Sequence, residues 1–332
     1  MTKDKLGIIG AGYWATNIIK TLEDMNIKNI YVYDRDQSKL KLIKEKFNHA
    51  KIIFKEDDFY QKVNNAIIVT PPKTHYRIAK KCINKNLNVF LEKPATLKKK
   101  HLKELGDLTK IKNKKLIIGY IYNFNVYIEY IRKVLLKKTL GDIKYISIER
   151  SNLGPIRNDN SCFWDLGSHD LSTLIYLTGK IPKIKKAIGY SFLKKKIFDV
   201  GNVFLSIGST QVEIKSSWLN PEKIRKTTIV GSKKMLLFDE MNLKQPIKVY
   251  NQYAKYPDIK NFKKSFFSAT ANIYYGRVFS PKIKFISPLR KEMSYFLKII
   301  NSKSKFFKND VGHGLKVHSL LETIDKKLKN SI

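Results

Sequence analysis

The chain has 332 residues, which is enough for about two domains with separate hydrophobic cores. Its content of 43% hydrophobic and 12% aromatic residues is typical of a globular protein and argues against a disordered one. No uninterrupted apolar stretch approaches the ~20 residues that cross a bilayer, so we expect no membrane partner. The apolar run after Lys5 is interrupted by Gly7, Gly10 and Gly12, unlike the core of a signal peptide, and we expect a cytoplasmic protein.

The net charge of +37 is the most unusual property of the sequence. A nucleic acid, an anionic membrane or a phosphorylated substrate could each explain it. The lysines are nevertheless spread along the whole chain, with only short runs such as Lys98-Lys99-Lys100. A general bias toward Lys, Ile and Asn accounts for this spread, so we expect no specific nucleic-acid partner. This spread of lysines is also compatible with a basic face that attracts a diphosphate substrate.

The first third of the chain alternates short apolar strands with helices, which predicts a doubly wound parallel sheet covered on both faces. The predicted strands are Leu6–Ile9, Ile30–Tyr33, Ile52–Phe54, Ala66–Val69, Asn88–Leu91 and Lys115–Ile118. The predicted helices are about Trp14–Asp24, a helix capped by Ser38 that runs to Phe47, Thr74–Lys85 and Leu97–Lys110. We expect a Rossmann domain over residues 1–121.

Residues 122–332 predict an α+β domain with a largely antiparallel open sheet. Its predicted strands are Ile143–Glu149, Val203–Ile207, Gln211–Lys215, Thr227–Val230 and Met235–Phe238. Its predicted helices are about Val126–Lys138, Trp164–Thr178, Leu289–Asn301 and Gly314–Lys329.

The segment Gly10-Ala11-Gly12-Tyr13-Trp14-Ala15 is a G-x-G-x-x-A variant of the dinucleotide fingerprint. Gly10 permits the tight turn, and Gly12 lets the backbone approach a pyrophosphate that the following helix N-terminus attracts. The motif alone is weak evidence, because a simple glycine turn has the same pattern. Here it follows a strand, opens a helix and precedes an acidic residue at the end of the second strand, which is the context that it requires.

That acidic residue, Asp34, predicts NAD in preference to NADP. Its carboxylate could bind the ribose hydroxyls of NAD and repel a 2′-phosphate. Arg35 follows directly and could instead pair with that phosphate, so both cofactors stay open.

Glu92-Lys93-Pro94 ends the fifth strand, at the edge where ligands of such sheets bind. A lysine there is usually a solvated surface residue. The proline changes this interpretation, because an X-Pro bond can be cis and turn the preceding side chain sharply.

Asp165 and His169 are four residues apart, so a helix would place both on one face. An ordinary ion pair and a metal pair are the alternatives to a catalytic pair. Because no further ligands follow at suitable spacing, we expect no metal. Cys82 and Cys162 form no Cys-x-x-Cys pair, and we expect each to be a small apolar core residue.

Together these segments resemble the glucose–fructose oxidoreductase / inositol dehydrogenase / rhizopine catabolism (Gfo/Idh/MocA) family. The matching segments are Gly10–Trp14, Val69–His75, Glu92–Pro94 and Asp165–Asp170, in the family's order and spacing. Two further segments, Asn152–Asp159 and Ser217–Ser232, resemble a branch linked to nucleotide sugars and surface polysaccharides. The resemblance is weakest over Asn251–Ser287.

The resemblance implies a cofactor site and a substrate site. Its cofactor-binding residues would be Gly10, Ala11, Gly12, Tyr13, Trp14, Asp34, Arg35, Thr70, Pro71, Pro72, His75, Glu92 and Lys93. Its catalytic residues would be Lys93, Asp165 and His169, and its substrate-binding residues would be these three with Asn125, Arg157 and Trp164. Lys93 would stabilise the reacting oxygen, His169 would take the hydroxyl proton, and Asp165 would orient either partner.

The family implies hydride transfer between NAD and a sugar, and we expect a nucleotide-linked sugar of polysaccharide synthesis. A free-sugar or inositol-type polyol dehydrogenase is the alternative within enzymes. A non-catalytic dinucleotide sensor and a basic nucleic-acid binder are alternatives from other classes, against which the joint presence of Lys93, Asp165 and His169 argues. The second domain would bind substrate and form a homodimer or homotetramer. Two features depart from the family pattern: Ala15 replaces a glycine, and Tyr120–Asn125 matches only loosely.

Overall fold

The computed structural model describes residues 5–157, 160–255, 271–304 and 307–329. The first half of these residues forms β1 (Leu6–Ile9), α1 (Tyr13–Asp24), β2 (Ile30–Tyr33), α2 (Gln37–Lys46), β3 (Lys51–Ile53), α3 (Glu56–Lys62), β4 (Asn65–Ile68), α4 (Pro72–Asn84), β5 (Asn88–Glu92), α5 (Lys99–Ile111), β6 (Leu116–Gly119), a 3₁₀ helix (Ile121–Phe124), α6 (Val126–Leu136) and β7 (Ile143–Ser151).

The second half continues with a π-helical turn (Phe163–Gly167), α7 (Ser168–Thr178), β8 (Lys183–Tyr190), β9 (Val200–Ile207), β10 (Thr210–Ser217), β11 (Ile224–Gly231), β12 (Met235–Asp239), β13 (Ile247–Tyr250), β14 (Tyr253–Lys255), β15 (Asn272–Tyr274), β16 (Val278–Phe279), α8 (Pro288–Ile300) and α9 (Val311–Lys329).

The six strands of the first unit form a parallel sheet in the order β3-β2-β1-β4-β5-β6. This is the strand order of a Rossmann domain, and its switch point lies between β1 and β4. The order confirms the predicted doubly wound sheet. Strands β1, β4 and β6 are buried along their whole length, as the continuous apolar runs predicted.

The eight-stranded sheet of the second unit has the order β16-β13-β12-β11-β7-β10-β9-β8. The pair β7 and β10 is parallel, and the neighbouring pairs are antiparallel, so the predicted largely antiparallel sheet is confirmed. Buried and part-exposed residues alternate along β10, which is typical of a sheet with only one face packed on a core.

The chain divides into two compact units at positions that differ from the predicted boundary. Unit 1 comprises Met1–Asn125 and Phe285–Ser319, and unit 2 comprises Val126–Lys284 and Leu320–Ile332. The prediction had placed everything after residue 121 in the second domain. It was wrong for 285–319 because α8 completes the core of unit 1.

The apolar face of α8 explains that difference. Leu289, Met293, Phe296 and Ile299 follow helical spacing and are buried with residues of α1, β1 and β2. The rings of Phe90 on β5 and Phe296 lie 5.7 Å apart, edge to face. A sequence pattern shows that α8 has an apolar face, but it does not show which core receives that face.

Two helix starts also differ from the predictions. Asp36, not Ser38, caps α2: its carboxylate accepts a hydrogen bond from the Ser38 backbone N–H at 3.1 Å. The predicted helix over Trp164–Thr178 begins with the π-helical turn and becomes α-helical at Ser168. The two cysteines are buried and free, as predicted, and burial raises the pKa of both thiols.

Candidate active site

The glycine loop between β1 and α1 is fixed by hydrogen bonds to the end of β2. Gly10 donates its N–H to the Tyr33 carbonyl at 2.9 Å, and Ala11 donates to the Asp34 carboxylate at 2.7 Å. Gly10 has φ +108, and a Cβ there would stand 3.0 Å from the carbonyl of Val69. Only glycine adopts this positive φ readily and also leaves room for the Val69 carbonyl. The backbone of the loop therefore packs closely against the end of β4.

The start of α1 fits a dinucleotide diphosphate. Gly12 is the N-cap, no side chain caps the helix, and the first turn has no acidic residue. A Cβ at Gly12 would meet nothing within 4 Å, so the space above the loop is open. Uncapped N–H groups with the positive end of a helix dipole are what a phosphate requires. Tyr13 is 81% exposed beside this space.

Asp34 and Arg35 occupy different environments. Besides Ala11, the Asp34 carboxylate accepts the Asp36 backbone N–H at 2.9 Å, so it is oriented by two backbone donors. Arg35 is exposed. Asp34 is thus ordered at the loop, whereas the Arg35 side chain lies in solvent.

The segment after β4 is linked to the segment after β5 by His75. His75 is 1% exposed, its Nε2 lies 2.7 Å from the Thr70 carbonyl, and its Nδ1 lies 3.0 Å from the Pro94 carbonyl. The buried ring therefore positions these two segments, and both of its nitrogens face carbonyl oxygens. Thr70 and Pro72 are half-buried, whereas Pro71 is exposed.

Glu92 connects the glycine-loop helix to the candidate catalytic lysine. The Trp14 indole N–H donates to one Glu92 oxygen at 2.6 Å, and the Lys93 backbone N–H donates to the other at 3.1 Å. Loss of water around the carboxyl raises the pKa of Glu92 to about 7. The Lys93–Pro94 peptide is cis, as the sequence allowed.

In unit 2, the Asp165 carboxylate is buried and held by two donors. Arg157 Nε lies 3.1 Å from Oδ1, and the indole N–H of Trp218 lies 3.2 Å from Oδ2. Trp218 is completely buried at the end of β10, whereas the Arg157 side chain is 41% exposed. Asp165 is therefore oriented from both sides within its own unit.

His169 lies in the first turn of α7 and is half-buried. The helix is anchored by Asp170, whose carboxylate accepts hydrogen bonds from the Arg150 guanidinium at 2.8 Å. Both partners are buried, so this ion pair fixes the orientation of α7 on β7. Trp164, predicted to contact substrate, donates its indole N–H to Asp325 at 2.7 Å.

The predicted residues fall into two groups. Unit 1 holds the glycine loop, Asp34, the Thr70–His75 segment, Lys93 and the buried Asn125 at the end of the 3₁₀ helix. Unit 2 holds Arg157, Trp164, Asp165 and His169. Asn158 and Asp159, part of the segment that resembles the nucleotide-sugar branch, lie outside the described residues.

Three features that position the site residues have no role predicted from the sequence: Trp218, the Arg150–Asp170 pair and Gly119. Gly119 pairs with Glu92 across the sheet, and a Cβ there would stand 2.9 Å from a Glu92 oxygen. Trp218 lies in a segment that resembles the nucleotide-sugar branch, but nothing in a single sequence pairs an indole with a carboxylate 53 positions away. Such contacts depend on strand order.

The parallel sheet, the glycine loop and the uncapped helix are those of a dinucleotide-binding Rossmann domain. Residues 5–120 match the family described as "Oxidoreductase family, NAD-binding Rossmann fold", and residues 128–237 match the "GFO/IDH/MocA C-terminal domain". The chain belongs to the GFO/IDH/MocA family of oxidoreductases, as the sequence resemblance had indicated.

Two curated relatives show the range of chemistry in the family. UDP-N-acetylglucosamine 3-dehydrogenase of Acidithiobacillus ferrooxidans is 26% identical over 188 residues, 56% of this chain and 58% of that protein. Inositol 2-dehydrogenase of Rhizobium meliloti is 23% identical over 145 residues, 42% of this chain and 44% of that protein. The matches thus span less than two thirds of the length of these relatives.

Solved structures match over nearly the whole chain. A structure of UDP-N-acetylglucosamine 3-dehydrogenase from Acidithiobacillus ferrooxidans has a TM-score of 0.82 at 20% identity and covers 100% of this chain and 99% of that one. An Agrobacterium radiobacter oxidoreductase in complex with NAD⁺, L-tartaric acid and magnesium has a TM-score of 0.78 at 14% identity, covering 100% and 98%. At these identities the likeness establishes the fold.

The described ranges, 5–157, 160–255, 271–304 and 307–329, contain neither a membrane-spanning helix nor a cluster of metal ligands. No helix there has both the length and the apolar character needed to cross a bilayer. No group of three or more His, Cys, Asp or Glu side chains there is arranged to hold a metal ion.

Proposed function

We propose that this oxidoreductase uses NAD to oxidise a ring hydroxyl, or to reduce a ring ketone, of a nucleotide-linked sugar. The observation that carries the substrate class is Arg157, a part-exposed guanidinium 3.1 Å from the buried Asp165 carboxylate. A guanidinium is suited to bind a diphosphate through two parallel hydrogen bonds. The relative that acts on UDP-N-acetylglucosamine supports the same class.

In the oxidation direction the substrate loses a hydride from carbon and a proton from oxygen, so that its C–O bond becomes C=O. The nicotinamide, when bound, supplies the acceptor for the hydride. We assign the proton to His169, because an imidazole changes its charge near neutral pH. Lys93 donates a hydrogen bond to the reacting oxygen and stabilises the charge that develops there. Asp165, held by Arg157 and Trp218, orients the substrate or the histidine.

A second candidate is a free-sugar or polyol dehydrogenase, which the match to inositol 2-dehydrogenase favours. Under the first proposal the substrate is a nucleotide-linked sugar of surface polysaccharide synthesis. Under the second it is a free sugar or a polyol. A direct comparison of the two substrate classes separates them.

The experiment measures NADH formation with UDP-N-acetylglucosamine, free N-acetylglucosamine and myo-inositol. We expect kcat/KM for the nucleotide-linked sugar to exceed that for free sugars by about 100-fold, because remote binding energy supports the reaction at the ring. Arg157→Met should remove most of this preference. Arg277→Met, at an exposed arginine of the same unit, is the control. Equal rates on linked and free sugars would replace the proposal with the polyol alternative.

We also propose a homodimer or homotetramer assembled through the open face of the eight-stranded sheet. The alternation of buried and part-exposed residues along β10 supports this, since the described part of its unit buries that face only in part. Light scattering after size-exclusion chromatography measures the assembly directly, and a monomer at micromolar concentration would contradict it.

A further inference from the structure

His318 is a buried histidine that the proposed reaction does not use. It lies on α9, within unit 1, and is 3% exposed. Val317 and Leu321, on the same side of the helix, are apolar and also buried. A polar ring in such a place is costly unless its nitrogens find hydrogen-bond partners. The contacts of those nitrogens therefore indicate what the side chain does.

One ring nitrogen of His318 reaches the loop that follows β5. Its Nε2 lies 2.7 Å from the Thr96 carbonyl oxygen. Because a carbonyl oxygen can only accept, Nε2 carries a hydrogen and donates it. The same nitrogen lies 3.5 Å from the Thr96 hydroxyl, which donates to the Lys98 carbonyl at 2.8 Å. Thr96 is completely buried, so its carbonyl depends on a donor from the protein.

The close packing of α9 within its unit places the ring at this loop. Gly314 and His318 are four residues apart, so they share one face of the helix. A Cβ at Gly314 would clash with the Ile118 side chain of β6 and would stand 3.1 Å from Leu102 of α5. The glycine thus lets the helix approach β6 and α5 closely. One turn further on, the same face presents the imidazole to the loop.

The loop held by His318 carries the candidate catalytic lysine. Its first two residues have other contacts: Lys93 donates its backbone N–H to the Glu92 carboxyl, and the Pro94 carbonyl lies 3.0 Å from a nitrogen of the His75 ring. The His318 hydrogen bond holds the chain three residues after Lys93. A loop held at both ends cannot pivot about one of them, so the direction of the lysine is fixed more narrowly.

We propose that His318 is a positioning residue, whose imidazole holds the Thr96 carbonyl and thereby fixes the loop that directs Lys93 to the reacting oxygen. His318 acts through the loop and not on the substrate. The anchoring of the loop follows from the geometry of unit 1, and only its effect on turnover rests on the proposed function.

The first test determines which ring nitrogen of His318 carries the hydrogen. The chain has six histidines, so labelling with ¹⁵N at histidine alone gives few signals in a long-range ¹H–¹⁵N spectrum. The ring that is lost in His318→Gln assigns the signal. We expect Nε2 of His318 to be protonated at pH 7. An unprotonated Nε2 would contradict the hydrogen bond to Thr96 and overturn the proposal, whatever the other variants show.

The second test separates anchoring from space filling. The amide of His318→Gln can still donate to the Thr96 carbonyl, whereas His318→Met has a similar length and no donor. We expect amide hydrogen exchange in the peptide Glu92–Lys98 to be at least ~10-fold faster in the methionine variant and within about twofold of the wild type in the glutamine variant. Exchange in α2 should be the same in all three proteins. Lys316→Met, at an exposed position of α9, is the matched control.

The third test measures the consequence for the lysine. With a sugar that the wild type turns over, we expect kcat to fall at least ~10-fold in the methionine variant, because a small displacement of a catalytic group is costly. The glutamine variant should keep most of the wild-type kcat. The KM of the sugar and the Kd of NAD should change less than about twofold, since Lys93 stabilises a charge that develops only in the transition state.

Failure of this proposal differs from failure of the proposed function. Equal loop exchange in the glutamine and methionine variants, or equal kcat values, would show that His318 only fills space, and the proposal would be wrong. Absence of turnover by the wild type, together with loop exchange that depends on the donor, would refute the proposed function and support the anchoring role of His318.

Discussion

Asp165 shows how single residues define this site. A carboxylate four positions before a histidine is common on helices, and its function depends on what holds it. Here the Arg157 guanidinium and the Trp218 indole hold its two oxygens at 3.1 and 3.2 Å. A carboxylate with both oxygens engaged is suited to orient a partner. Proton transfer is then the task of His169 under the proposed function.

This division of roles predicts unequal effects of three substitutions. His169→Ala should lower kcat at least ~100-fold while NAD still binds, because general base catalysis contributes about that much. Lys93→Met should cost at least as much, since a charge and a hydrogen bond at the reacting oxygen are both lost. Asp165→Asn should raise KM more than it lowers kcat. Steady-state kinetics with the best nucleotide-linked sugar measure all three.

The control for these variants is His101→Ala, at a histidine of α5 that stacks on Tyr76. Losses in double variants should not add, because residues that act as a unit fail together. Near-normal turnover in folded His169→Ala, with NAD bound, would show that Asp165 and His169 are only a helix contact. The proton would then be assigned to Lys93 or to a tyrosine such as Tyr120 or Tyr122.

Cofactor preference is also decided by single residues. Asp34→Ala should weaken NAD binding by about tenfold or more, because it removes a charged hydrogen-bond acceptor at the ribose. It should weaken NADP binding less, since repulsion of the 2′-phosphate disappears. Fluorescence titration of both cofactors measures the ratio, with Arg35→Ala as the matched comparison. Tighter NADP than NAD binding by the wild type, lost in Arg35→Ala, would assign the phosphate to Arg35.

At the scale of elements, α8 is the piece of chain that crosses the predicted domain boundary. Phe296 is completely buried in the unit 1 core, against Phe90 of β5. Phe296→Ala should therefore lower the free energy of unfolding by about 3–5 kcal/mol, the usual cost of truncating a buried phenylalanine. Urea unfolding measures the loss.

Phe285→Ala is the matched control, because Phe285 belongs to the same unit and is 61% exposed. We expect its effect to stay within about 0.5 kcal/mol. Equal losses in the two variants would show that α8 is not part of the unit 1 core.

At the scale of the whole molecule, the net charge of +37 attracts any polyanion. Because many lysines can meet many phosphates, non-specific binding to duplex DNA is expected at low salt and should vanish near ~0.15 M salt. Fluorescence anisotropy with two unrelated duplexes measures both salt dependence and sequence preference. Sequence-selective binding that survives such salt would replace the oxidoreductase as the main function.

The sequence by itself determined the parallel sheet, the glycine loop and the family, because each depends on a local pattern. Continuous apolar strands, Gly10 and Gly12 at a strand end, and Glu92-Lys93-Pro94 are features of short segments. The predicted cap at Ser38 is a local error: Asp36, two residues earlier, accepts the Ser38 backbone N–H and is the N-cap, so that α2 begins at Gln37.

The tertiary structure alone decided which distant residues meet. It placed α8 in the core of unit 1, Trp218 on Asp165, His75 between two loops, and Phe296 against Phe90. Helical periodicity gives each of these elements a buried face but not a partner for it. The partner is fixed when strand order and helix packing bring separate segments into one core, as with Phe90 and Phe296, and no local pattern encodes that choice.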